Sequence, residues 1–334
     1  MAKVDFQIIG QGIAGTLLGL ALLERGYRIK IFDPNHPDTS SRKAAGIYNP
    51  ITGRKMVKTW MADDLFLSLE DFYSALEKKI GAVFLHTMPI YRPFHSFEEQ
   101  NDWMVKKDSA EYSAFLADVL THPSHSPDMQ DAHGGIVLKN GGYVDLPSLL
   151  ESARRYFQEL NVLSEGHFNF EQASIRTIYC DGPFATQNPY WSELPFRPVR
   201  GELIDIKCQL PTDRIVNRGV FMVPRDGIFR VGSTYDHDNL VFEPQQSGVN
   251  ELQRRLKSLY TGAYELVQAT AGVRPATHDR KPYIGWHPKN KAVGVFNGFG
   301  TKGVSLVPYF SKLFVDSIEG KKNLIPEVDV SRVF

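Results

Sequence analysis

The stretch that most restricts the fold is "IIGQGIAGT", residues 8–16. The apolar, β-prone run "VDFQIIG" leads into it, and "TLLGLALLERG" follows with Leu17, Leu20, Ala21 and Leu23 at helical spacing until Gly26. "YRIKIFD" then alternates as a strand and ends on Asp33. Strand, glycine turn, helix, strand and acid together make a dinucleotide-binding half. In such a half Gly10 permits the tight turn, Gly12 lets the backbone approach a pyrophosphate, and Gly15 lets the helix pack on the sheet. Ile13 and Ala14 open the helix whose free N–H groups face the anion. Asp33, followed by Pro34, stands about 18 residues past Gly15, where an acceptor for ribose hydroxyls is needed. A glycine turn without a ligand is the plain alternative, but every context requirement of the motif is met. The loop alone does not separate FAD from NAD.

At 334 residues the chain exceeds the usual single-domain size, so one large α/β unit with a second lobe is expected. Hydrophobic residues at 42% and charged residues at 23% suffice for a sizeable core. The 38 basic residues balance the 38 acidic ones, which argues against a broad polyanion-binding surface but not against a local basic patch. Two cysteines, Cys180 and Cys208, without ligand spacing, argue against a disulfide framework or structural metal. His122, His125 and His133 share a loop that lacks recognised zinc spacing. No apolar run has the ~18 residues of a membrane span, and the expected compartment is a reducing cytoplasm.

Further along, residues 61–79 read as one helix with Leu65, Leu69, Phe72 and Leu76 on its apolar face, and "AVFLHTMPIYRPF" reads as a strand pair. Helices are expected over 98–107 and 110–120, then a loop to 135, then a helix from about 147 to 159 capped by Asp145. Strands recur over 199–236, a helix covers 248–260, and a strand at 292–296 leads through a glycine turn into a helix from 303. The fold expected is a Rossmann-like α/β dinucleotide-binding domain, discontinuous in sequence, with an inserted antiparallel β-sheet substrate lobe. Its boundaries are 1–55, 136–195 and 266–334 for the cofactor domain, and 56–135 and 196–265 for the lobe.

The second glycine turn, "NGFGTKG", is unexplained by a simple nicotinamide dehydrogenase. A flavin gains negative charge at N1 and the C2 carbonyl on reduction. A helix N-terminus at Gly303 with Lys302 beside it stabilises that charge. With "SSRKAAGIYNP", "GGYVDLPSLLESA", "PVRGELI", "MVPRDGIFRVGSTY" and "GVRPATHDRKPYIG", the sequence resembles the D-amino-acid oxidase and glycine oxidase family of FAD-dependent oxidoreductases. "RPATHDRKPYIG" and "GFGTKG" are most similar in wording to the flavin domain of the bifunctional tRNA wobble-uridine modification enzymes.

The resemblance implies FAD held by Gly10, Gly12, Gly15 and Asp33 at the adenosine end, Ser40, Ser41, Ala45 and Gly46 near the pyrophosphate and flavin, and Gly298, Gly300, Thr301, Lys302, Gly303 and Val304 at the pyrimidine edge. It also implies hydride transfer from a carbon bearing an amine to flavin N5, imine hydrolysis and reoxidation by oxygen. Arg274 matches the family arginine that grips a substrate carboxylate, a task suited to a guanidinium fork; the plain alternative is a structural ion pair. Asp279 and Arg280 read as a local turn.

Phe221 stands where several amino-acid oxidases carry a tyrosine and cannot donate its hydrogen bond. Tyr48, Tyr91 and Tyr235 are the candidates to replace that hydroxyl, and Asn49 joins them as a substrate-lining residue. The segment between Tyr156 and Cys180 is shorter than the family pattern, which predicts altered packing at the adenine. Arg54, Lys55 and Lys58 form either a mouth for an anionic substrate or tRNA anticodon arm, with Trp60 placed to stack on a base, or a solvated loop over the core.

The reading is FAD-dependent oxidation of the C–N bond of a small amine or amino acid. The alternatives are trimming of a carboxymethylaminomethyl group on tRNA wobble uridine and a silent FAD-binding protein. No metal and no membrane partner are expected.

Overall fold

The computed structural model describes residues 4–124, 126–166, 168 and 175–334. Its first sheet grows from the glycine-loop unit. Strand β1 (Phe6–Ile9) is followed by helix α1 (Ile13–Glu24) and strand β2 (Ile29–Asp33), and β1 pairs in parallel with β2. Helix α1 is buried nearly all round, with Leu17, Leu18, Leu20 and Leu22 in the core. It lies between this sheet and a second helix near the C-terminus.

Helix α2 (Ser40–Lys43) is capped by Thr39, and strand β3 (Ile47–Tyr48) follows. Strands β4 (Ile51–Thr52) and β5 (Val57–Lys58) make a small hairpin. The single helix expected over 61–79 is broken into α3 (Ala62–Phe66) and α4 (Leu69–Ile80), although Leu65, Leu69 and Leu76 remain buried together. Strands β6 (Leu85–Thr87) and β7 (Ile90–Pro93) are both present where a strand pair is expected, but they enter different sheets. Helix α5 (Phe97–Lys106) is capped by Ser96.

The helix expected over 110–120 is not formed. Residues Leu116–Leu120 are strand β8, paired antiparallel with β9 (Gly135–Leu138), so tertiary pairing overrides the local pattern. Strand β10 (Gly142–Val144) leads into α6 (Leu146–Glu159), where the Asp145 carboxylate accepts from Ser148 N as the capping pattern predicts. Strands β11 (Leu163–Glu165) and β12 (Arg176–Tyr179) return to the first sheet. Part of the shortened segment, residues 167 and 169–174, lies outside the described residues.

Strands β13 (Val199–Cys208), β14 (Ile215–Arg218), β15 (Val220–Arg225) and β16 (Ile228–Gly232) form the recurring β region, and α7 (Gln246–Leu256) packs on it. Strand β17 (Tyr264–Arg274) runs antiparallel to β13. The chain closes with β18 (Tyr283–His287), β19 (Asn290–Asn297) and α8 (Gly303–Ile318).

The six-stranded sheet has the order β11-β2-β1-β12-β19-β18, parallel except for β18. The eight-stranded sheet has the order β17-β13-β16-β15-β14-β7-β9-β8, antiparallel except where β14 meets β7. Strands β9 and β17, which boundaries at 136 and 266 assign to the cofactor side, are hydrogen-bonded into this second sheet. One core cluster spans α1, α4, α6, α8 and the parallel sheet; a second lies between the eight-stranded sheet and α7. No helix among the described residues is long and apolar enough to cross a membrane.

Candidate functional site

A cleft of about 1680 Å³ runs between the carboxyl ends of the parallel strands and one face of the eight-stranded sheet. This is where a doubly wound sheet binds its ligands, and the volume exceeds the range usual for one drug-sized molecule.

Helices α1 and α8 pack on each other and open at the cleft: a Cβ at Gly303 would come within 3.3 Å of Ile13 Cγ2. Two helix N-termini therefore face one cavity, each offering positive potential.

The glycine loop has the geometry that a dinucleotide needs. Gly10 has φ +97°, and a Cβ there would lie 2.6 Å from Cys180 O; a Cβ at Gly15 would overlap Gly10 O. Ile13 N donates to Ser41 Oγ at 3.1 Å, so the α2 turn leans on the start of α1. The Asp33 carboxylate accepts from Gln11 N (2.8 Å), Asn35 N (2.8 Å) and Arg154 Nη1 (3.1 Å). That uses three of its roughly four acceptor sites and leaves capacity for one more donor.

The opposite wall belongs to the eight-stranded sheet. Arg274, at the end of β17, donates Nη1 to Arg200 O (3.4 Å) and Thr234 O (3.3 Å), and its guanidinium lies 4.9 Å from the Tyr235 ring centre. It takes part in no ion pair among the described residues; burial pushes its pKa down, and the charge of Glu202 nearby opposes that shift. Phe221 lines the cleft across from Gly232, its antiparallel partner.

Lys302 caps α8. Its Nζ donates to Thr52 Oγ1 (3.3 Å) and Thr59 Oγ1 (3.2 Å), and burial, with Lys281 and Arg280 nearby, pushes it down to about 8. Asn49 is buried in the same wall; its Oδ1 accepts from Ile51 N while Nδ2 has no partner, an unused donor.

Most of the residues singled out in the sequence line this one cavity: Gly10, Gly12, Ile13, Ala14, Asp33 and Pro34; Ser40, Ser41, Ala45, Gly46 and Asn49; Phe221, Tyr235 and Arg274; Gly298, Gly300, Thr301, Lys302, Gly303 and Val304. Gly15 sits beneath the loop rather than on its surface.

Tyr48 and Tyr91 do not reach the cleft, and both are corrected here. Tyr48 is buried with its hydroxyl donating to Glu70 Oε1 (3.1 Å), and Tyr91 is buried with its hydroxyl donating to Asp131 Oδ2 (2.8 Å). Each hydroxyl has found an acid in the interior, which satisfies it away from solvent and ligand.

Asp279 and Arg280 behave as a turn: Asp279 accepts from Thr277 Oγ1 and Lys281 N and pairs with Arg332 at 3.0 Å. Lys58 pairs with Asp63 at 2.6 Å, while Arg54 and Trp60 line the cleft. Of the histidine group, His125 lies outside the described residues, and no cluster able to hold a metal is found among them.

Sequence reasoning missed three features. Asp181, after β12, accepts from Asn188 Nδ2 and Asn297 Nδ2, and burial raises its carboxyl to about 6. Phe184 and Phe242 stack at 5.9 Å beside His36 and line the cleft end nearest Asp33. Gly201, on β13, leaves the space that Arg274 fills. Asn297, one donor to Asp181, lies in the "FNGFG" run, but no local pattern marks the acid itself; tertiary contacts alone expose all three.

A model of the FAD dependent oxidoreductase family matches residues 5–317. The chain is 25% identical to a glycine oxidase of Pseudomonas putida, aligned over 369 positions that cover 95% of each protein. It is 21% identical to the tRNA 5-methylaminomethyl-2-thiouridine biosynthesis bifunctional protein of Shewanella amazonensis, covering 95% of this chain and 56% of that protein. The crystal structure of glycine oxidase from Geobacillus kaustophilus superposes with a TM-score of 0.79 at 22% identity, covering 96% of both chains, and so shares the fold. With nearly its whole length matched, this chain belongs to the FAD-dependent oxidoreductase family and is an FAD-dependent oxidoreductase.

Proposed function

We propose that this enzyme oxidises the carbon–nitrogen bond of a small amine or amino acid that carries a carboxylate, and that Arg274 receives the carboxylate. The observation that carries this reading is a cleft-wall guanidinium held by two backbone carbonyls and ion-paired with no acid among the described residues. Two charge-assisted hydrogen bonds from such a fork fix which C–H bond faces the opposite wall. Tyr235 stacks on the guanidinium and brings the one cleft-lining hydroxyl among the three tyrosines considered. Phe221 contributes an apolar face and no hydrogen bond.

The residues present suit FAD. Gly10, Gly12, Ile13 and Ala14 would hold the pyrophosphate with Ser40 and Ser41, and Asp33 and Pro34 would hold the ribose. Phe184 and Phe242 offer stacking surface for adenine. Ala45, Gly46 and the Gly298–Val304 turn would hold the flavin. When bound, FAD takes up the two electrons withdrawn from the C–N bond, leaving an imine that water hydrolyses, with dioxygen as the acceptor the family resemblance implies. Lys302, poised by two threonine hydroxyls at the N-terminus of α8, supplies positive charge where the flavin becomes anionic. The buried Asn49 Nδ2 is a further donor for the flavin edge or the substrate.

We also read the six-stranded sheet with α1, α6 and α8 as the cofactor unit, and the eight-stranded sheet with α7 as the substrate unit. The two cysteines, both free, suit a reducing cytoplasm.

The test is an anaerobic absorbance titration at about 450 nm of the FAD-loaded protein with glycine, N-alkylglycines, D-amino acids and a tRNA pool. Bleaching by a small amine supports the reading. Bleaching by tRNA alone favours the second reading, in which Trp60 and the basic rim beside it receive RNA, and no bleaching at all leaves a silent flavoprotein.

A further inference from the structure

The cleft holds more positive charge than one carboxylate and one cofactor require. Ten Lys and Arg side chains line it against three Asp, in a chain whose basic and acidic residues balance at 38 each. Among the described residues only Lys43, Arg218 and Arg255 of the ten are ion-paired, with acids beyond the lining. A pyrophosphate offsets only part of that excess.

The surplus gathers around residues 51–60. Arg92, on β7, is 3% exposed; it donates Nη1 to Ile51 O (2.6 Å) and Nη2 to Gly53 O (2.8 Å), and its buried Nε has no partner. Lys281 Nζ lies 3.1 Å from the centre of the Trp60 ring, which itself stacks on Phe310. Arg54 stands exposed in the β4–β5 turn. Arg54, Trp60, Arg92 and Lys281 all line the cleft. The ion pairs of this region among the described residues are Lys58–Asp63, Arg218–Glu99 and Arg332–Asp279, and Arg54, Arg92 and Lys281 take part in none. Burial pushes Arg92 down to about 10, with Arg218 adding to the effect. Glu99 acts on Arg92, and Glu327 and Asp279 on Lys281, only at a distance; cations outside any ion pair and concentrated in a cleft mark a place where a ligand supplies an anion.

We propose that the substrate is a small amine with two anionic groups: the carboxylate at Arg274, and a second carboxylate or phosphate at its far end, received by Arg54, Arg92 and Lys281. This rests on the assignment of Arg274 above. Arg274 lies over β13, and Arg92 stands four strand positions away on β7. At the usual strand spacing that is on the order of 19 Å, less the reach of two long side chains, so the substrate is extended rather than glycine-sized. Leu203, Gly232 and Phe221, neighbours across three strands, give its middle an apolar wall.

The test compares N-alkylglycines with N-(ω-carboxyalkyl)glycines of matched chain length in anaerobic flavin reduction by the FAD-loaded protein. A parallel titration follows the flavin spectrum as α,ω-dicarboxylates or monocarboxylates bind without turnover. At one chain length the dianion is expected to half-saturate at a roughly tenfold lower concentration, and Arg54→Gln with Lys281→Gln should remove most of that gain. Equal half-saturation of matched pairs at every length overturns the proposal, as does a gain that survives both replacements. If N-alkylglycines reduce the flavin without any preference for dianions, this inference alone falls. If every small amine is silent, or tRNA alone reduces the flavin, it falls together with the reading of the function.

Discussion

The guanidinium of Arg274 occupies the space that a side chain at Gly201 would need: a Cβ built there would overlap Nη2 and lie 2.5 Å from Nη1 and from Thr234 O. The two residues sit on adjacent antiparallel strands, and Val199 is the register partner of Arg274. A missing side chain on one strand thus seats a charged one from the next.

Gly201→Ala should therefore displace Arg274 without touching the glycine loop. Steady-state kinetics should show KM for a carboxylated amine raised by roughly tenfold to a hundredfold, with flavin content retained. The same variant in an Arg274→Ala background should add little, because one guanidinium cannot be lost twice. An unchanged KM would remove Arg274 from the substrate site.

Lys302 gives a pH signature. Its folded-state value, near 8, lies below the ordinary 10.5 of a lysine, so between those two values the unfolded chain holds the proton that the folded chain has lost. Stability of the FAD-free protein should rise with pH over that window and carry the full cost of the buried cation below it. Lys302→Met should raise the Tm of the FAD-free protein at pH 7, and the difference should shrink towards pH 10. In the flavin-loaded form the same replacement should lower the flavin reduction potential. A Tm difference that does not change with pH would show that burial of the charge is not what perturbs this lysine.

Asp33→Ala should cost more than a ribose contact. It strips an acceptor from Gln11 N, Asn35 N and the buried Arg154, which keeps Glu165 (2.8 Å) and Gln11 Oε1 (3.0 Å). A loss of about 2–3 kcal/mol in denaturant unfolding of the FAD-free protein is expected, along with weaker retention of flavin on gel filtration. Loss of flavin with no change in unfolding would confine Asp33 to ligand binding.

Gly12→Ala and Gly15→Ala should differ in kind. A methyl at Gly12 meets the Ser41 side chain at 3.1 Å, and a serine can shift; a methyl at Gly15 meets the backbone of Gly10. The first variant should fold and bind FAD more weakly, whereas the second should lose both flavin and stability. Circular dichroism melts alongside flavin content separate the two cases.

What the sequence made legible was the part whose information is local. The β1–α1–β2 unit, the Asp145 cap and the glycine turn before α8 all depend on neighbours a few residues apart, and all appear where the pattern puts them. Residues 110–120 read locally as a helix, but that pattern yields to pairing between Leu116–Leu120 and Gly135–Leu138, a partner invisible from the segment itself. Tyr48 and Tyr91 fail for a related reason. Residue type announces a hydroxyl but not the side of the sheet it faces, and both hydroxyls found acids 22 and 40 residues away. The seat at Gly201 depends on register across two strands some seventy residues apart, so no motif around "PVRGELI" could show it.

The adjacency of β1, β12 and β19 has a consequence for the making of the protein. Three neighbouring strands of one sheet come from residues 6–9, 176–179 and 290–297, so a ribosome must deliver most of the chain before the crevice can close. Until then the nascent β1–β2 pair presents an open edge, and the loop over α1 has no opposing wall. Long-range parallel pairing of this sort is slow and leaves apolar strands exposed in the interval. FAD is thus a ligand for a chain already made past the Gly298–Val304 turn, which forms part of the cleft wall.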